Sequence, residues 1–208
     1  MLGATGATGR KVVERVQALG HDVVAVSRRQ QQEVPPSAMV TRFTGDVRDR
    51  LSLMPAFAGA DAVISCIGPD SNLKPGNLMS VGISNSLAAC QASGVRLFIM
   101  QSGIMLTDGA DLSAFDRWAL RLVHLVFRKA IADKAIAERA VRESGLSWVI
   151  VRAVGLRDLP AGKNYVAGPD ARVALLRPLP FADCADCLVR AATNEGSWTG
   201  KIVNVGRV

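Results

Sequence analysis

Glycines stand at every third position in the run Gly3-Ala4-Thr5-Gly6-Ala7-Thr8-Gly9, almost at the start of the chain. That spacing permits a tight turn and lets another group approach the backbone closely. Val12, Val13, Val16 and Leu19 follow at helical spacing, and Gly20 supplies a stop. The predicted helix thus opens on the glycines, and its first N–H groups and positive dipole end are offered to an anion such as a pyrophosphate. Ala7 lies at that helix start, and Thr5 and Thr8 would add hydroxyl donors. A glycine run alone can be a plain turn. Here a strand, Val23 to Val26, follows the helix and a basic pair follows the strand, which is the context a dinucleotide site needs.

The rest of the chain alternates short β-branched runs with longer amphipathic ones. Met39 to Phe43, Ala62 to Cys66, Leu97 to Met100, Trp148 to Val151 and Ile202 to Val205 read as strands. Leu51 to Phe57, Leu78 to Ala92 and Ala182 to Thr193 read as helices. This order predicts an α/β fold, a parallel sheet with helices on both faces. With 208 residues and neither repeat nor linker, residues 1–208 are expected to form a single domain. Only Met1 and Leu2 precede the glycines, so the first strand is expected to be unusually short or cut off.

Residues 113–144 contain neither Gly nor Pro; Ser113 with Asp116 fits a capping box, and Ser144-Gly145 a stop. The length predicts a kink or two consecutive helices. Arg117, Arg121, His124 and Arg128 share a face, with Trp118, Leu122, Leu125 and Val126 elsewhere, so a solvated basic face over a buried apolar one is expected.

Composition narrows the partners. An apolar fraction of 49% excludes a disordered chain. Charges interrupt every apolar stretch before membrane-spanning length, and no basic-then-apolar leader opens the chain, so a cytoplasmic location is expected. The net charge of +7 permits anionic partners without choosing one; a nucleic-acid role is not favoured. Cys66, Cys90, Cys184 and Cys187 are expected as reduced thiols. Cys184 and Cys187 form a C-x-x-C inside a predicted helix, far in sequence from His21 and His124, and are expected to pack rather than to hold a metal.

The basic pair bears on cofactor choice. A ribose 2′-hydroxyl usually meets an acidic residue at the end of the second strand, yet Ser27-Arg28-Arg29 stands there. Arg28 and Arg29 suit a 2′-phosphate, so NADP(H) is expected over NAD(H). The alternative stacks one arginine on the adenine and leaves the other solvated.

Several stretches together resemble a known family. They are the glycine run, Gly45-Asp46-Val47, Ile64-Ser65-Cys66-Ile67-Gly68, Lys134-Ala135-Ile136-Ala137-Glu138-Arg139, Glu143-Ser144-Gly145-Leu146, Ile150-Val151-Arg152 and Phe181-Ala182-Asp183-Cys184-Ala185. The set resembles the atypical short-chain dehydrogenase/reductases, nearest to NmrA-like proteins and the biliverdin reductase B (flavin reductase) type. The resemblance implies a Rossmann-type doubly wound parallel sheet in a three-layer α/β/α domain. It implies that Asp46 accepts from the adenine amino group, that Val47 contacts the adenine through its backbone, and that Cys66, Ile67 and Gly68 line the ribose and diphosphate. Gln101, Ser102, Lys134, Ala153 and Val154 complete the expected cofactor-binding set. The plainer reading makes Asp46 a turn acid and Cys66 a buried strand end.

The departures from that family carry as much information. Its usual chemistry uses a serine near the end of the fifth strand and a Tyr-x-x-x-Lys pair. Lys134 matches the lysine, but Ala130 stands at the tyrosine position, and Gly103 falls where the serine is expected, with Ser102 one place early. The single tyrosine, Tyr165, lies in a later loop. Three consequences follow: hydride passes to an acceptor needing no tuned protein acid, such as a flavin or quinone; Ser102, Tyr165 or His124 substitutes; or the dinucleotide is bound without turnover.

The leading expectation is an NADP(H)-dependent reductase acting on a planar or hydrophobic acceptor, a flavin, quinone or similar carbonyl compound, as a monomer or homodimer. Lys134 would hold the nicotinamide ribose and Ser102 would orient the carboxamide or acceptor. Loops 68–77, 103–112 and 153–170, carrying Met105, Leu106, Leu156 and Tyr165, would shape an apolar substrate pocket. The alternatives are a non-catalytic NADP(H)-binding regulator, or an isomerase or epimerase using the cofactor transiently.

Overall fold

The computed structural model describes residues 1–28, 39–68, 76–107, 114–162, 164–193 and 197–208, with the backbone alone for 114–123. The elements run α1 (Ala7–Ala18), β1 (Val23–Ser27), β2 (Val40–Thr44), α2 (Arg50–Phe57), β3 (Ala62–Ser65), α3 (Leu78–Ser93) and β4 (Leu97–Gly103). They continue with a 3-10 turn (Ile104–Leu106), α4 (Ala114–Glu143), β5 (Ser147–Ala153), β6 (Leu156–Arg157), β7 (Val166–Gly168), β8 (Leu179–Pro180), α5 (Phe181–Thr193) and β9 (Lys201–Gly206).

The sheet is parallel except at one edge. β1 pairs β2, and β3, β4, β5 and β9 follow one another in parallel register. Leu2 joins the two groups. It bridges Val26 on one side and Ser65 on the other, both in parallel sense, with Leu2 N–H donating to Ile64 and Cys66 N–H donating to Leu2. Leu2 thus stands in the place of the first strand, in the order β2-β1-Leu2-β3-β4-β5-β9-β7. That is the doubly wound order, with its reversal beside Leu2.

Each face of the sheet carries its own helices. Val12 and Val13 of α1 and Cys184, Cys187 and Leu188 of α5 pack with Ala25, Ile99, Val149, Val151 and Val203. Leu53 and Phe57 of α2, Met79, Ile83 and Leu87 of α3, and Ala137 and Val141 of α4 pack with Val26, Val63, Phe98, Met100 and Ile150 on the other. Strands buried on both faces read as unbroken apolar runs, which is why they were legible.

Two expectations need correction. The segment 153–170 is not loop throughout: β6 pairs β8, and β7 adds antiparallel to β9, Ala167 opposite Val205. Strands this short carry no periodicity. The long helix breaks at Phe127 (φ −107°, ψ 20°), as its length suggested, but Leu125 and Val126 are 74% and 61% exposed rather than buried. The kink rotates the first half away from the register that buries Ala130, Ala137 and Val141 in the second. The side chains of Arg117, Trp118, Arg121 and Leu122, and Ser113 of the capping box, lie outside the described residues, as does the side chain of Asp116.

Candidate functional site

The glycine run does three separate jobs. Gly3 has φ +74°, and a Cβ there would stand 2.9 Å from the Cys66 carbonyl oxygen, so this position needs glycine both for its turn and for the approach of the β3 end. Gly9 is the packing residue: its Cβ would lie 2.0 Å from the Gly3 carbonyl oxygen. Gly6 is exposed and has only the Gly3 oxygen, at 3.3 Å, near the position of a Cβ. Gly6 is the N-cap of α1 and has no side chain to cap it. The N–H groups of Ala7, Thr8 and Gly9 therefore open the helix without intrahelical acceptors.

A groove of about 190 Å³ lies on this helix start, at the carboxyl ends of the strands and beside the reversal of strand order. Gly3, Thr5, Gly6, Arg28, Val47 and the Cys66–Gly68 segment line it, drawn from four separate places in the sequence. A larger cavity of about 690 Å³ lies at the amino ends of β1 and β3, among Val12, Asp22, Val23, Asp61 and Val189, and none of the expected site residues line it. The groove, not the larger cavity, carries the anion-binding features. The open helix end, the glycines and Arg28 fit a dinucleotide's diphosphate and phosphate groups.

Other expected cofactor residues fall in varied places. Thr8 is buried, at 6% exposure, and does not line the groove. Asp46 is half-buried, and its Oδ1 accepts from the Arg48 N–H at 2.9 Å, the turn role that the plainer reading gave it. The Val47 carbonyl accepts from the Asn85 amide at 3.0 Å. Cys66 and Ile67 are half-buried and Gly68 exposed; burial pushes the Cys66 thiol up to about 12, which leaves it inert as a nucleophile at neutral pH. Ala153 and Val154 are buried in the core, and the Val154 N–H donates to Val205, so neither side chain reaches the groove. Gln101 is half-buried with its Oε1 unpaired among the described residues. Arg29, most of loop 68–77, and residues 108–112 of loop 103–112 lie outside the described residues.

The catalytic candidates separate sharply. Ser102 Oγ donates to Glu138 Oε1 at 2.6 Å, and Arg152 closes on the same carboxylate through Nε (3.1 Å) and an outer nitrogen (2.7 Å). Ser102 is thereby buried beneath α4 with its hydroxyl engaged, where the sequence had it orienting the carboxamide or acceptor. Period-two alternation explains it: Ser102 shares its strand face with Phe98 and Met100, against α3 and α4. Tyr165 is also removed. Its hydroxyl donates to Asp186 at 2.6 Å and accepts from Arg190 at 3.3 Å, which fastens it to α5, while Arg15 pairs with Asp186 at 2.7 Å and ties α5 to α1. His124 Nε2 donates to the Met105 carbonyl at 2.6 Å, pinning α4 to the 3-10 turn after β4.

Lys134 remains. Its Nζ lies 3.4 Å from where a Cβ at Gly103 would stand. Burial lowers the ammonium below its ordinary value, partly offset by Glu138 one turn on. Ala130, one turn earlier on the same face, is buried and leaves the tyrosine position empty of any donor.

Sequence reasoning missed Glu138 as the centre of a buried ion pair, because Arg152 meets it from another element. It also missed Asp133, whose carboxylate accepts from the N–H groups of Met79 (2.9 Å) and Ser80 (3.1 Å) and caps α3 from α4. Only the helical spacing of Lys134 and Glu138 was readable beforehand. Among the described residues, no cluster of His, Cys, Asp or Glu is arranged to hold a metal, and no helix is long and apolar enough to cross a membrane.

A Rossmann sheet with a glycine-opened helix at its reversal point defines a dinucleotide-binding protein. The chain belongs to the NAD(P)H-binding family, whose model matches residues 3–195. An uncharacterized chloroplastic protein of Arabidopsis thaliana is 29% identical over 182 residues, 81% of this chain and 62% of its own length. A (4-alkanoyl-5-oxo-2,5-dihydrofuran-3-yl)methyl phosphate reductase of Streptomyces griseus is 28% identical, over 93% of this chain and 64% of its own length. The chain thus spans a little under two thirds of these relatives. The oxidoreductase ylbE of Lactococcus lactis superposes with a TM-score of 0.80 at 18% identity, covering 100% of this chain and 89% of its own. A short-chain dehydrogenase/reductase of Veillonella parvula in complex with NADP gives 0.78 at 18%, covering 99% and 92%. The anaerobillin reductase of Escherichia coli O157:H7 gives 0.75 at 22%, covering 99% and 95%.

Proposed function

We propose that the chain is an NADP(H)-dependent reductase that passes hydride to a planar, conjugated acceptor such as a flavin, quinone or enone, acting in the cytoplasm as one domain. The observation that carries this is the glycine-opened helix start, with Arg28 lining the groove upon it, which would receive the phosphates. Lys134 supports it from the carboxyl end of β4: its Nζ lies beside Gly103, three residues beyond Met100, and Met100 pairs with Ser65 next to the Cys66–Gly68 segment. The cofactor, when bound, supplies the hydride.

The protein's own residues supply position and charge. The N–H groups of the first turn of α1 hold the diphosphate, and Arg28 meets the 2′-phosphate. Gly68 and the half-buried Ile67 form the wall beside the ribose. The reductase named among the relatives and the one among the solved structures support the reaction class.

NADPH and NADH affinities in wild type and R28A test the cofactor half. Losing one charge-assisted hydrogen bond, about 1.5–3 kcal/mol, weakens NADPH roughly 10- to 150-fold and leaves NADH within about twofold. Equal affinities of the wild type for both cofactors would refute the preference.

A further inference from the structure

Hydride transfer to a conjugated acceptor leaves a negative charge on an oxygen or nitrogen of that acceptor, and that charge must be met. The side chains that the sequence offered for this are engaged elsewhere or missing. Ser102 is bound to Glu138, Tyr165 to Asp186 and His124 to Met105, while Gly103 and Ala130 carry no donor. Among the described residues, one protonated side chain is left at the carboxyl end of β4. Lys134 makes no hydrogen bond or ion pair among the described residues, and its Nζ stands 3.4 Å from the place of a Gly103 side chain, with the Met105 methyl 3.9 Å from that same place. A serine at 103 would fill the space next to that ammonium; glycine leaves it open.

We propose that Lys134 is the proton donor of this reductase, its Nζ using the opening left by Gly103 and Ala130 to reach the acceptor atom that carries the negative charge. The inference rests on the reductase reading. Its balance is simple. The acceptor gains a hydride, two electrons with one hydrogen, from the reduced nicotinamide. One N–H bond of Lys134 then breaks, a new O–H or N–H bond forms on the acceptor, and the neutral amine takes its proton back from water. A general acid works best when its pKa lies toward the operating pH, and burial moves Lys134 in that direction.

The surroundings allow the step. Glu138, on the same helix, would hold the ammonium charged if it were unpaired, but it is already shared by Arg152 from β5 and Ser102 from β4. Asp133 is committed to the start of α3, and α3 and the 3-10 turn bring no other Asp, Glu, Lys, Arg or His to this face. His124 is spent on the Met105 carbonyl. Protonation of Lys134 is therefore governed mainly by burial and by one neutralised carboxylate.

Two readouts test this. The first needs no turnover: reductive ¹³C-methylation of the cofactor-free protein, with K134R to assign the resonance, gives the titration of Lys134 beside the more exposed Lys11 and Lys129. A midpoint clearly below theirs is expected; a midpoint equal to theirs overturns the proposal. The second uses K134A and K134R with NADPH and an acceptor that the wild type reduces, with NADPH binding and Tm as controls for folding. Both variants should keep NADPH binding within about tenfold and lose about 100-fold or more in kcat. Primary alkylamines added to K134A should restore turnover in proportion to their acidity, while guanidine should not. A kcat within a few-fold of wild type in K134A, or a loss confined to KM for NADPH, overturns the proposal alone. Wild-type protein that binds NADPH and oxidises it with no acceptor overturns the reductase reading and this inference with it.

Discussion

The division of labour among the glycines can be measured by adding one methyl group at a time. At Gly9 the new Cβ would lie 2.0 Å from the Gly3 oxygen and 2.9 Å from its carbon, where real contacts do not fall below 3.0 Å. Both partners are backbone, so α1 must retreat by about 1 Å from the turn it packs on. That retreat loosens Val12 and Val13, which are 0% and 2% exposed. Overpacking costs about 1–3 kcal/mol, and the rigidity of both partners puts G9A at the upper end or beyond. For a chain of this size that is a fall in Tm of roughly 6–12 °C. At Gly6 the same methyl meets only one oxygen at 3.3 Å and points into the open groove. G6A should cost less than about 1 kcal/mol as an N-cap change, yet weaken NADPH about tenfold or more by blocking close approach of the diphosphate. Calorimetric Tm and titration of NADPH on both variants separate the two effects. A G9A protein as stable as wild type, or a G6A protein that binds NADPH equally well, refutes the assignment.

Three other outcomes are expected. E138A strands the Arg152 guanidinium and Ser102 hydroxyl in a pocket where Glu138 is 2% exposed, and should lower stability by about 3–5 kcal/mol in denaturant melts. Y165F should lose about 1 kcal/mol with the hydrogen bond to Asp186 while turnover stays at the wild-type level; a large loss of kcat would return Tyr165 to the chemistry. The Cys66, Cys90 and Cys187 thiols are pushed by burial from 9.0 up to about 12. Because these values are raised in the folded state, their stabilisation is complete below about pH 9 and is lost as pH rises toward 12, at up to about 1.4 kcal/mol per pH unit for each thiol. Tm measured from pH 8 to 10.5 should fall, and C90A should flatten that fall; parallel curves would refute it.

Much of the fold was legible because local and long-range signals agreed. The helix after the glycines and the apolar strands each matched one periodicity, and Gly20 and Gly94, at φ +78° and +74°, ended helices where the sequence placed stops. The antiparallel edge at Val166–Gly168 was invisible, since three residues paired to a distant strand leave no pattern. At the site, the phosphate end was readable because one contiguous run builds it. The catalytic end was not. Whether Ser102 faces the groove or Glu138 depends on strand phase and on Arg152 arriving from β5, and the exposure of Leu125 and Val126 depends on a kink whose direction periodicity does not encode.

NADPH oxidation by the wild-type protein, followed at 340 nm against a panel of flavins, quinones, enones and isolated ketones, bears most directly on the central claim. Turnover with at least one planar conjugated acceptor, faster with NADPH than with NADH, is expected. Tight NADPH binding with no oxidation across the whole panel would contradict it and leave a dinucleotide-binding protein without reductase activity.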